Sequence, residues 1–172
     1  MKKNAIILHG WYQKKTENWY PWLKNELTKK EYATYLPQIP TFETKLPELN
    51  SAMSLVIKNT NITKKTTIIG HSLGCLLALR LAEILKFDKL ILISGWDYDE
   101  LTDEHRLFWM SKINHQKIIK NVKKVYCISS DNDPYTTAFH TKKMNNRLKG
   151  KFILIPKAGH FTSDDGITKI PK

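Results

Sequence analysis

Arginine is scarce in a strongly basic chain. Arg80, Arg106 and Arg147 are three of 28 basic residues, set against 16 acidic ones in 172 residues, for a formal net charge of +12. A surface made to grip phosphates draws on the arginine fork. The lysines are also spread along the sequence and not massed on one helix or arm. The charge therefore reads as a solvated surface and no specific nucleic-acid site is expected, with anionic ligands and weak non-specific binding left open. Cysteine is limited to Cys75, inside a helical run, and Cys127, inside the strand-like "KVYCIS". That excludes a disulfide framework and fits two small buried thiols in a cytoplasmic protein. No apolar run approaches the roughly 18 residues of a membrane span, so no membrane association is expected. The apolar part of "MKKNAIILHGW", Ala5 to Leu8, is too short for a signal peptide. H-E-x-x-H, C-x-x-C and paired-carboxylate loops are missing, so neither metal nor cofactor is expected. Repeats, low-complexity tracts and linkers are missing too. One domain over residues 1–172 remains, long enough to bury about two-thirds of its unfolded surface.

What is present is an alternation of short β-rich runs with helical ones. The expected strands are Ala5–Leu8, Ala33–Leu36, Thr66–Gly70, Lys89–Ser94, Lys124–Ser129 and Lys151–Ile155. Runs such as "AIIL", "LILIS" and "FILI" are continuous and not alternating, as in strands covered on both faces. The expected helices are Trp19–Lys30 with Asn18 as N-cap, Pro47–Thr60, Leu73–Leu85, and Thr137–Leu148 stopped by Gly150. Strand–helix alternation of this kind implies parallel strands joined by right-handed crossovers. The fold class is α/β: a three-layer sandwich of about six parallel strands in flavodoxin-like order, with helices on both faces. Gly95 to Asn121, with Trp96, Tyr98, Phe108, Trp109 and a short helix near Thr102, reads as an elaborated crossover more than as a cap.

The chain passes from strand to helix through Gly70-His71-Ser72-Leu73-Gly74. A strand ending at Gly70 and a helix starting at Leu73 leave Ser72 on a sharp, strained turn. Gly70 and Gly74 remove the Cβ atoms that would collide there. The turn lifts the Ser72 hydroxyl above the carboxyl ends of the strands, with the Leu73 N–H facing a developing oxyanion, which is the nucleophile-elbow arrangement. In that architecture the partners follow in the order serine, acid, histidine, each after a strand. "KVYCISSDNDPYTT" offers Asp131 and Asp133, the latter favoured because Pro134 stiffens its turn, and Asp97 after the fourth strand is a third choice. "KFILIPKAGHF" offers His160 as base. His71 reads as a packing residue. His9 belongs to "ILHGWY", where Gly10 lets the backbone come close and the Trp11 N–H makes a second oxyanion donor. His105, His115 and His140 are expected to face solvent. In flavodoxin-like order the first and third strands flank the switch point where ligands bind, so His9-Gly10-Trp11 and Ser72 fall on one crevice.

"ILHGWYQKKTENWYPWLKNEL", "IIGHSLGCLLALRLAE", "SSDNDPYTT" and "AGHFTSDDGITKIP" resemble the small serine hydrolases of the retinoblastoma-binding protein nine and YdeN type, within the α/β-hydrolase superfamily. The resemblance spans nearly the whole chain. It implies Ser72, Asp133 and His160 as catalytic triad, a minimal sheet without a large lid, and hydrolysis of small carboxylic esters. It also keeps alive an interaction module whose hydrolase site is weak or vestigial. Members of that group continue past the "GITKIP" segment into a terminal helix, whereas this chain stops at Lys172. Two expectations follow: a shallow crevice preferring short acyl chains, and bare apolar surface beside the sixth strand, giving either self-association, such as a homodimer, or a loosely held His160 loop.

Overall fold

Apolar runs without alternation become strands buried on both sides, and the sheet they build sets every later position. The computed structural model describes residues 3–98, 103–109 and 111–170. Six strands, β1 (Asn4–Leu8), β2 (Ala33–Tyr35), β3 (Thr66–His71), β4 (Phe87–Ile93), β5 (Val122–Ser130) and β6 (Lys151–Ile155), lie in the order β2-β1-β3-β4-β5-β6. All five pairings are parallel. The central β3 is buried at every residue. The strand order is that of a doubly wound α/β sheet, so the carboxyl ends of β1 and β3 flank the reversal point.

Helices α1 (Tyr20–Lys29), α2 (Leu49–Asn59), α3 (Leu73–Ile84), α4 (His115–Asn121) and α5 (Ala138–Leu148) join the strands. One apolar layer unites α2, α3, α4 and α5 with Ile6, Leu8, Ile68, Leu90, Leu92, Val125 and Cys127 of the sheet. The other side packs Ala5, Ile7, Ile69 and Ile93 under Trp19 and Tyr20 from α1 and under Ala158 and Phe161, beyond β6. Helix α3 is apolar all round because it is enclosed: residues 73–82 are all buried. Its two charges pair with each other, Arg80 with Glu83 at 3.0 Å, and Arg80 also donates to the Phe108 and Ser111 carbonyls.

Several boundaries depart from expectation. Strand β4 begins two residues early, at Phe87, and β5 runs from Val122 to Ser130. Asn18 does not cap α1; Trp19 does, and Asn18 takes φ 54° and accepts a bond from the Ser163 N–H at 2.7 Å. Helix α5 closes through Lys149 in the left-handed region, not through Gly150. Helix α4, capped by the Asn114 side chain, was not anticipated. Thr102, the expected start of a short helix, lies outside the described residues, and a 3-10 turn runs from Asp103 to Phe108.

On the α1 side a groove of about 250 Å³ remains open between Leu23, Leu27 and Ile170, floored by Ile69, Ile91, Ile93 and Ile128. Bare apolar surface therefore lies at β6, where Leu154 is exposed and Phe152, Ile153 and Ile155 are half-buried, and also over β3 to β5. The floor there is a sheet face that α1 alone is too narrow to cover.

Candidate active site

Strand β3 hands over to α3 with no intervening loop, so Ser72 must turn the chain by itself. It does so at φ 51°, ψ −122°, a conformation costly for any residue but glycine. The closeness of the packing explains both glycines. A Cβ on Gly70 would lie 2.6 Å from the Gly74 carbonyl, and one on Gly74 would lie 2.3 Å from the Leu8 carbonyl and 2.7 Å from that of His9. Gly74 thus presses α3 against the end of β1, which brings the His9-Gly10-Trp11 turn alongside Ser72. A Cβ on Gly10 would stand 3.1 Å from the Ser72 Cβ. Leu73 and Trp11, the expected oxyanion donors, flank Ser72 on these two elements.

His160 sits in the loop after β6 and Asp133 in the loop after β5. The structure sets them face to face: His160 Nδ1 lies 3.0 Å from both Asp133 carboxylate oxygens. That carboxylate is fully buried and accepts from the Tyr135 N–H, the Thr136 N–H and the Thr136 hydroxyl, each at 2.9 Å. Burial alone would raise the Asp133 carboxyl. The His160 hydrogen bond and charge, with the Thr136 N–H, outweigh that and hold it below the usual carboxylate range. The other two aspartates serve elsewhere. Asp131 accepts from the Lys157 N–H at 2.8 Å at the surface. Asp97 is enclosed with Arg147 and with His115 Nε2, the latter at 2.6 Å.

Beneath His160 runs a chain of contacts that sequence reading missed. His71 Nε2 donates to the His160 carbonyl at 2.7 Å. Its other nitrogen must then accept, and the Tyr20 hydroxyl stands 2.5 Å from it as donor. Burial, helped by neighbouring His160, pushes His71 down to about 3, so it stays neutral. Asp165 holds the loop from the other side, accepting from the His160 N–H at 2.9 Å and the Thr162 hydroxyl at 2.7 Å. Trp19 Nε1 donates to the Phe161 carbonyl, and Asn132 and Ser130 receive the Gly159 and Ala158 N–H groups. A loosely held His160 loop is therefore not what the structure contains. Only "GH" before the serine and the "DD" after His160 hinted at these partners. Tyr20 carried no signal, since it lies 51 residues from His71. His9 is a pin as well: it accepts from the Ile39 N–H at 2.9 Å and donates to the Gly10 carbonyl at 2.8 Å.

Ser72 and His160 line one cavity of about 710 Å³ with Trp11, Trp96, His105, Tyr135, Asp164 and Asp165 among its walls. That volume is more than a shallow crevice suggests, and His105 of the 3-10 turn stands among the walls. The ring packs edge-on to Trp11 and Trp96 and is buried, as burial also lowers its pKa. The expectation that His105 faces solvent fails for that reason. His115 and His140 are half-buried too, against Asp97 and Tyr98 respectively. Trp96 and His105 of this segment thus line the cavity, which a plain crossover would not do; residues 99–102 and 110 lie outside the described ones. Among the described residues, no three of His, Cys, Asp and Glu are grouped as a metal site, and no helix is long and apolar enough to cross a membrane.

A family model described as serine hydrolase matches residues 5–172. The hydrolase YdeN of Bacillus subtilis is 28% identical to this chain, covering 99% of it and 92% of YdeN. The serine hydrolase RBBP9 of Rattus norvegicus is 27% identical over 87% of this chain and 81% of its own. The crystal structure of the B. subtilis ydeN gene product superimposes with a TM-score of 0.88, covering 98% of this chain and 93% of that one at 27% identity. Est1E from Butyrivibrio proteoclasticus, at 18% identity and TM-score 0.66 over 94% of this chain and 82% of its own, shares the fold. With the family match running from β1 to the last residue, this chain belongs to the serine hydrolase family, on an α/β-hydrolase fold.

Proposed function

We propose that the protein hydrolyses small carboxylic esters through an acyl-enzyme, with Ser72 as nucleophile, His160 as general base and Asp133 as the orienting acid. The observation that carries this reading is the contact of His160 Nδ1 with both Asp133 oxygens, in a cavity shared with a Ser72 strained at a helix N-terminus. Asp133 fixes His160 with its Nδ1 proton toward the carboxylate, which leaves Nε2 to take the Ser72 proton. The Ser72 oxygen then bonds to the acyl carbon. The oxyanion is met by the N–H groups of Leu73 and Trp11, and the proton passes to the departing alcohol. Water repeats the sequence, releasing the carboxylic acid and restoring Ser72. Support for esters over other acyl compounds comes from Est1E and from the carboxylesterases of Nitrososphaera gargenis that share the fold at 14% identity. Buried thiols at Cys75 and Cys127 support a cytoplasmic setting.

The test is labelling with a fluorophosphonate followed by a panel of p-nitrophenyl esters. Ser72 is expected to be the sole serine labelled, and Ser72→Ala to lose the label and about 10⁴-fold or more of ester turnover. Unchanged turnover in that variant would overturn the reading.

A further inference from the structure

All six strands are parallel, so they begin on one edge of the sheet and end on the other. The cavity lies at the ending edge. At the beginning edge the lysines that look scattered in sequence come together. Lys3 precedes β1, Lys29 and Lys30 precede β2, Lys64 and Lys65 precede β3, and Lys86 precedes β4. Lys123 and Lys124 open β5, and Lys149 and Lys151 flank the start of β6. Lys58 and Lys120 add to them from the last turns of α2 and α4. All of these are exposed. Half-buried Lys89 stands beside Lys124 in the register of β4 and β5, a like-charge pair directly opposite, which by itself destabilises a sheet.

Among the described residues, Glu26 pairs with Lys29 and Asp88 with Lys89, Glu83 is turned to Arg80, and the lysines named outnumber these carboxylates. At the opposite edge the described lining of the cavity holds Asp164 and Asp165 and neither lysine nor arginine, while Lys14 and Lys45 stand on loops nearby.

We propose that this lysine edge is a docking face for the surface of an anionic lipid membrane. Six strands at about 4.8 Å spacing make it about 24 Å wide, and helix ends extend it on both sides into a broad face. Charge spread over a face of this width, and not gathered in a groove, suits an extended anionic surface. The side chains are lysines, which act as point charges. The three arginines that would grip a phosphate in a fork stand elsewhere, Arg80 in the core, Arg147 on Asp97 and Arg106 in the 3-10 turn that carries His105. The aromatic rings at this edge, Phe87 and Tyr32, are buried and half-buried, and so offer no platform for stacking bases. Binding is peripheral, reversible and electrostatic, and it leaves the cavity pointing away from the lipid. This revises the expectation of no membrane association.

The experiment is co-sedimentation of the intact protein with phosphatidylcholine vesicles, with and without phosphatidylglycerol. Binding is expected only with the anionic lipid, and it is expected to vanish in about 1 M salt, where screening shortens to about 3 Å. Each lysine near such a surface contributes about fivefold (about 1 kcal/mol) to partitioning. Lys65→Gln with Lys124→Gln is thus expected to weaken it about 25-fold. Lys14→Gln with Lys45→Gln, near the cavity and equal in charge removed, is expected to have little effect. Fluorophosphonate labelling at the far edge reports that each variant is folded. Equal losses from both pairs would overturn the proposal, as would no binding to anionic vesicles. So would binding to duplex DNA that depends on Lys65 and Lys124 while vesicles are ignored.

Discussion

Asp97, Asp131 and Asp133 all follow strands, and the fold gives them three different tasks. The sequence narrowed the acid to these three and favoured Asp133 through Pro134, but could not exclude Asp131, because reach to His160 depends on how two loops lean together. With Asp133 alone against His160, Asp133→Asn is expected to cut kcat/KM about 10³- to 10⁴-fold, and Asp131→Asn less than about threefold. Asp97→Asn is expected to spare labelling but to lower Tm by about 4 to 8 °C, from about 2 kcal/mol for a buried carboxylate whose partner Arg147 is 41% exposed. Steady-state kinetics and thermal melts decide the ranking. Tyr20 was illegible for a different reason: nothing local marks a tyrosine as the donor to a histidine on another element. Tyr20→Phe removes the donor to His71 Nδ1 and leaves the ring free to carry its proton there, facing Gln13 Oε1 at 3.0 Å, and the His160 carbonyl then loses its donor. A fall of roughly ten- to a hundredfold in kcat with KM little changed is expected. An unchanged kcat would show that the His160 loop is held well enough by Asp165 and Trp19 alone.

At the scale of elements, every strand and the four longer helices were legible, because continuous apolar runs and capping signals are local physics. The ends were not. Lys149 adopts a left-handed conformation although Gly150 adjoins it, since the Lys149 and Gly150 N–H groups close on the Asn146 and Asn145 carbonyls. The cavity wall around His105 was read as a crossover because its form depends on long-range contacts, chiefly Arg80 holding the Phe108 carbonyl. The join of β3 and α3 is where one element depends most on another. Gly74→Ala would drive a Cβ into the Leu8 and His9 carbonyls, which are backbone and cannot swing aside. A loss of about 3 kcal/mol or more is expected, with loss of Ser72 labelling as α3 is pushed from β1. Gly166→Ala is the control. Its neighbourhood is open and only its positive φ of 79° is strained, so about 1 kcal/mol is expected, with labelling retained. Urea unfolding of both variants measures the contrast.

The whole molecule couples its burial to pH. Composition indicated neither the gathering of lysines on one edge nor the enclosure of histidines, because both arise from parallel strands bringing distant residues together. His9, His71 and His105 are buried, and burial lowers the pKa of each, that of His71 to about 3. In the unfolded chain each takes up a proton near pH 6.5. Below that pH the unfolded state binds more protons than the native one, so stability present above about 6.5 is lost as pH falls. Each group contributes a slope of up to about 1.4 kcal/mol per pH unit, and the three together up to about 4. For His71 the loss continues down to its native value of about 3. Asp97, Asp133 and Asp165 have depressed values, so their contribution is retained until pH falls through the carboxylate range and steepens the loss there. Urea midpoints measured from about pH 7.5 to 5 are therefore expected to fall steadily well before any carboxylate titrates. Midpoints that hold level to about pH 5 would show that the buried histidines gain protons without unfolding. His105→Phe, which keeps a ring between Trp11 and Trp96, is expected to flatten the slope by about 1.4 kcal/mol per unit.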